Sequence, residues 1–135
     1  MQPGQLDNAI HRPDAPRHFM VLQPVERLVV VRAGETELLR SRSALRLVEF
    51  GRSLYAPVLY FPKPDLKIAL TVESRSTHCP LKGDATYYSL PAVDGREAIS
   101  EIAWSYEKPL PFSQAIEDLI AFYPNKVTIE EHPLS

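Results

Sequence analysis

The sequence predicts a mainly β domain. Three observations point there. Strand-like apolar runs recur at short spacing, thirteen prolines punctuate a chain of 135 residues, and only one stretch carries a sustained helical period. The length suits one compact domain.

The elements follow in order. Residues 1–24 hold Pro3, Pro13, Pro16 and Pro24 and few large apolar groups, which predicts an extended arm that wraps the domain or stays partly disordered. A single β-rich domain is expected over 25–135. Val25 to Arg32 is valine-rich and reads as a strand, Ala33 to Thr36 as a turn, and Glu37 to Arg40 as the return strand of a hairpin. Ser41 and Ser43 offer N-caps for a short helix near 43–50, ended by Gly51.

Pro57 to Phe61 reads as a strand, and Pro62-Lys63-Pro64-Asp65 as a turn, because two prolines remove ladder donors. Leu66, Ile68, Leu70 and Val72 alternate with Lys67, Ala69 and Thr71, a clear period of two that predicts a strand. Glu73 to Gly83 carries no such pattern and reads as an irregular crossing. Ala85 to Ala92 and Glu97 to Tyr106 read as partner strands around the Asp94-Gly95 turn. Phe112, Ala115, Ile116, Leu119, Ile120 and Tyr123 recur at helical spacing behind an N-cap at Ser113, which predicts a helix near 113–123. Val127 to Glu130 closes the chain as a last strand.

Composition excludes several function classes. A single cysteine rules out an internal disulfide framework and any zinc site built from cysteine pairs. A formal net charge of −2, without a basic stripe interleaved with aromatics, argues against nucleic acid and anionic membrane as partners. No apolar run approaches the roughly 18–20 residues of a membrane span. No basic start leads into an apolar stretch at the N-terminus, so a cytoplasmic protein is the expectation.

Chemistry concentrates between Thr77 and Tyr88, which packs a thiol, an imidazole, an amine, a carboxylate and two phenols into twelve positions. Cys79 reads either as a nucleophile, with its thiolate favoured by Lys82 three residues on, or as a small buried hydrophobe. His78 would point away from Cys79 if the backbone there is extended, and no second ligand stands at metal spacing. Lys82-Gly83-Asp84 reads either as an anion-binding turn or as a surface turn with an ion pair. Tyr87 and Tyr88 fall on opposite faces of one strand, and Trp104 and Tyr106 share a face of the next. They form either a ligand wall or a core cluster.

Five stretches resemble the bacterial and fungal family catalogued as domain of unknown function 427, sometimes labelled nucleotidyltransferase-like. They are Arg46 to Glu49, Val58 to Pro62, Ser76 to Tyr88 with its Thr-His-Cys-Pro-Leu-Lys-Gly core, Ala103 to Tyr106, and Ile120 to Tyr123. Leu81 stands where the family pattern has an aromatic. The resemblance implies an Mss4-like, or β-tent, fold in which two sheets lean together over a cleft. Many relatives of that class hold zinc between paired Cys-x-x-Cys knuckles, which this chain lacks, so no metal and no cofactor are carried over. No Gly-Ser motif followed by an Asp-x-Asp pair is present to hold magnesium for phosphoryl transfer.

The expectation is therefore a small-molecule pocket, open to an anionic group. Lys82, Asp84, Tyr87, Trp104, Tyr106 and Tyr60 would surround the ligand, and Cys79 with His78 would act if the protein is a thiol-dependent enzyme. The alternative is a non-catalytic interaction module acting as a homodimer. A fast, pH-dependent alkylation of Cys79 would favour chemistry, and an inert thiol the module.

Overall fold

The computed structural model describes residues 8–134. Its strands are β1 (Ile10–Arg12), β2 (Ala15–Pro24), β3 (Arg27–Ala33), β4 (Thr36–Ser41), β5 (Leu45–Phe50), β6 (Val58–Pro62), β7 (Thr71–Cys79), β8 (Gly83–Leu90), β9 (Ile99–Ser105), β10 (Leu119–Phe122) and β11 (Thr128–Pro133). They form two antiparallel sheets. One has eight strands in the order β1-β2-β5-β6-β10-β9-β8-β7, and the other three in the order β11-β3-β4. The protein is mainly β, as its sequence predicts. No helix among the described residues is long and apolar enough to cross a membrane.

Two apolar clusters organise the packing. The first lies between the sheets, where Val29, Val31 and Leu39 of the small sheet meet Phe61, Leu90, Ile102, Ile120 and Phe122 of the large one. The second lies on the opposite face of the large sheet and gathers Met20, Leu47, Tyr60, Leu81, Ile116 and Ala121. The large sheet curves around this second cluster. At one end β1 comes within reach of the β7–β8 turn, where Arg12 donates to the Pro80 carbonyl at 3.4 Å.

Four elements differ from the sequence expectation, each for a physical reason. The helix expected near 43–50 is strand β5, which pairs with β2 on one side and β6 on the other. Six residues are too few to hold a helix on propensity alone, and two ladders override it. The helix expected near 113–123 is a 3-10 helix over Pro111–Ile116 followed by β10. Asp118, at φ 59°, breaks the helical path between them. Leu119-Ile120-Ala121-Phe122 is apolar throughout because β10 is central and buried on both faces. Ile120 and Phe122 enter the first cluster, Leu119 and Ala121 the second.

The alternating run from Leu66 to Leu70 is not a strand. Leu66, Ile68 and Leu70 pack against the first cluster, but the segment's ladder contact is a single bridge from Leu66 to Leu39. The strand begins at Thr71 and runs through the stretch expected to be irregular. β7 is an edge strand with mostly exposed side chains, so no apolar alternation marks it. Charged Glu73 and Arg75, with a bulge between Val72 and Ser76, protect that edge from pairing with another chain.

The proline-rich segment also differs in part. Residues 1–7 of the expected arm lie outside the described residues. From Ile10 to Pro24 the chain forms β1 and β2, folded back on each other around a turn at Pro13 and Asp14, and β2 pairs with β5 from Phe19 to Pro24.

Candidate functional site

The β7–β8 turn is built by Cys79, which pairs with Gly83, and by the three residues between them. Leu81 is fully buried in the second cluster, and its carbonyl accepts from the Ser113 hydroxyl at 2.6 Å. The Lys82 carbonyl accepts from the Leu110 N–H at 2.9 Å. Gly83 has φ 110°, and a Cβ there would lie 3.2 Å from the Leu110 nitrogen. Glycine is thus required twice, for the backbone angle and for the close approach of the 109–110 segment. The pinned turn sends Lys82 inward, where only 7% of the residue is exposed.

The Lys82 ammonium donates to Glu49 of β5, and lies 5.9 Å from the centre of the Tyr106 ring. The second Glu49 oxygen bonds Nε2 of His18 at 2.7 Å. Burial would raise the Glu49 carboxyl, but hydrogen bonds from His18 and Lys82 and the nearby ammonium outweigh it and hold it below its ordinary value. A carboxyl lowered on folding stabilises the protein above its unfolded pKa, about 4.5, and loses that contribution as pH falls through the lower folded value. Urea unfolding of the native protein and Glu49→Gln across this range should give stabilities that differ near neutrality and converge toward the acid end. A gap that stays constant with pH would count against the ionised pair.

The pair faces a cavity of about 160 Å³. Leu47 and Glu49 come from β5, Val58 and Tyr60 from β6, and Tyr87 from β8. Trp104 lies on β9, and Tyr106 and Tyr123 follow β9 and β10. Tyr87 lies opposite Trp104 in the β8–β9 register. The indole Nε1–H of Trp104 donates to the Tyr60 hydroxyl at 3.2 Å, and the Trp104 and Tyr123 rings lie 4.5 Å apart. Tyr87 and Thr77 share a hydroxyl hydrogen bond of 2.7 Å, and the Arg75 guanidinium lies 4.1 Å over the Tyr87 ring. Arg75 is itself held by Glu101 at 2.8 Å.

Burial raises the Tyr60 and Tyr106 phenols above their ordinary range, and burial together with neighbouring Tyr87 pushes Tyr123 up to about 12. All three stay protonated at neutral pH, so the wall offers hydrogen bonds and ring faces rather than a phenolate base. The Tyr106 hydroxyl makes no hydrogen bond among the described residues, although the residue is half-buried.

Of the side chains singled out in the sequence, Lys82, Tyr60, Tyr87, Trp104 and Tyr106 meet at this cavity. His78 and Asp84 do not. They bond each other at 2.8 Å across the β7–β8 ladder, with side chains 62% and 76% exposed. Cys79 is half-buried against the second cluster and is absent from the cavity lining. The strands that line the cavity all belong to the large sheet, β5 and β6 on one side and β8 and β9 on the other. Among the described residues no three His, Cys, Asp or Glu side chains gather in a way that could hold a metal ion.

Sequence reasoning missed Glu49, His18 and Tyr123. Reading 43–50 as a helix took Glu49 out of the sheet, reading residues 1–24 as an arm set His18 aside, and the helical stripe absorbed Tyr123. One signal could have found two of them. All nine lining residues fall within the five stretches that carry the family resemblance. No match is found among curated proteins. The family described as domain of unknown function (DUF427) matches residues 21–132, which spans ten of the eleven strands in whole or part and every residue of the cavity wall, and the chain belongs to that family.

Proposed function

We propose that the aromatic cavity binds a small molecule that carries a carbonyl or carboxylate acceptor on a compact apolar body. The observation that carries this reading is the ion pair of buried Lys82 with mostly buried Glu49, facing the cavity. Taking both charges out of water is costly, and well-packed apolar residues would hold the fold as well. An ammonium has three donors, and Glu49 takes one of them. The remaining donors and the unpartnered Tyr106 hydroxyl are suited to one acceptor, while Trp104, Tyr87 and Val58 are suited to the apolar body. Cys79 packs beside the cavity rather than lining it, so the reading is one of binding rather than thiol chemistry.

Trp104 is the only tryptophan in the chain and reports directly on the site. Titration with isobutyrate, isobutyramide and isobutylamine should quench or shift its emission saturably with the first two and not with the amine. Tyr106→Phe should weaken the response about fivefold, the worth of one hydrogen bond. His78→Ala, on the outer face, should leave it unchanged. The reading fails if no probe gives a saturable change, or if His78→Ala weakens binding as much as Tyr106→Phe.

A further inference from the structure

A second recess lies where β2 and β5 part. Their ladder ends at the Phe19–Phe50 pair. Beyond it, residues 50–54 curl back through a Phe50–Leu54 bridge and a 2.9 Å bond from the Gly51 N–H to the Ser53 carbonyl. The groove left between them has a volume of about 670 Å³ and is lined chiefly by Pro16, Arg17, His18, Arg52, Tyr55 and Pro80.

Two properties of this lining belong together. Its apolar surfaces are flat: two proline rings and the face of Tyr55, which is 45% exposed. Tyr55 is held there by close packing, because a Cβ at Gly51 would lie 3.1 Å from both the Tyr55 ring and its hydroxyl. Of the charged groups beside them, the acids already have partners among the described residues while two arginines do not. Asp14 is taken by Arg12 at 3.0 and 3.2 Å, and Glu49, behind His18, is taken by Lys82 and His18. Arg17 and Arg52 are exposed and make no ion pair among the described residues.

We propose that this groove is a second binding site, separate from the aromatic cavity, for an organic anion with a flat ring. Arg17 and Arg52 take its phosphate or carboxylate group by charge-assisted hydrogen bonds, and the ring lies against Tyr55 and the prolines. Neither the anion nor the ring alone uses the whole lining.

The test is calorimetric titration of the full chain with phenyl phosphate, inorganic phosphate and phenol. Phenyl phosphate should bind at least about tenfold more tightly than either part alone. The double variant Arg17→Ala/Arg52→Ala should lose at least about tenfold in phenyl phosphate affinity, and Tyr55→Ala about threefold. Both changes lie on exposed residues outside the core. The Trp104 response to isobutyramide serves as the check that the variants remain folded, and it should not change. The proposal is overturned if phenyl phosphate does not bind, if it binds no better than inorganic phosphate, or if the double arginine variant binds it as well as the native chain does.

Discussion

Lys82→Met should lower the stability of the protein by about 3 kcal/mol, the lower end of what breaking a buried ion pair costs. The loss comes from the carboxylate left behind rather than from the missing bond. Glu49 stands mostly buried in the cavity wall, and without Lys82 its remaining partner is His18, whose own side chain is partly open to water. The double variant Glu49→Leu/Lys82→Met removes both charges, and its leucine stands beside Leu47 and Val58. It should recover most of the loss, because an apolar pair of similar volume avoids the desolvation cost. Urea midpoints at unchanged slope measure both effects. A single variant within about 0.5 kcal/mol of the native protein would mean that water reaches Glu49 freely.

The second large effect is expected at Gly83. Gly34 and Gly83 both have positive φ, but they differ in what surrounds them. Gly34, at φ 58°, sits in the β3–β4 turn with nothing within 4 Å of an added Cβ. Gly34→Ala should therefore cost about 1 kcal/mol, the local price of a left-handed alanine. Gly83, at φ 110°, lies outside the left-handed well, and its added Cβ would meet the backbone of Pro109 and Leu110 at 3.4 and 3.2 Å. Gly83→Ala should cost about 3 kcal/mol. It should also displace the turn that aims Lys82, so the Trp104 response to isobutyramide should weaken in this variant and not in Gly34→Ala. Equal losses in the two variants would remove the 109–110 segment from the positioning of Lys82.

The strands visible in the sequence are those whose composition and pattern agree. β3, β6, β8 and β9 carry valine, tyrosine and other strand formers between glycine or proline turns. The hidden strands have surroundings that erase the pattern. β7 is polar because it is an edge, β10 is wholly apolar because it is buried on both faces, and β5 is short enough to pass for a helix. The site divides in the same way. Strand alternation brings Tyr87 to the cavity and sends Tyr88 to the other face, where it bonds Lys63 and Glu107. That alternation also removes His78 and Asp84, which were grouped with Lys82 only because they are its neighbours in sequence. Glu49 lies 33 positions from Lys82, and the curvature of an eight-stranded sheet is what brings the two together.

A crystal structure of the protein soaked in isobutyramide tests the binding reading most directly. The expected result is one molecule in the aromatic cavity, its carbonyl oxygen about 3 Å from the Lys82 ammonium or the Tyr106 hydroxyl and its methyl groups against Trp104. A fragment bound elsewhere while the cavity stays empty, or one turned with its apolar end toward Lys82, would contradict it.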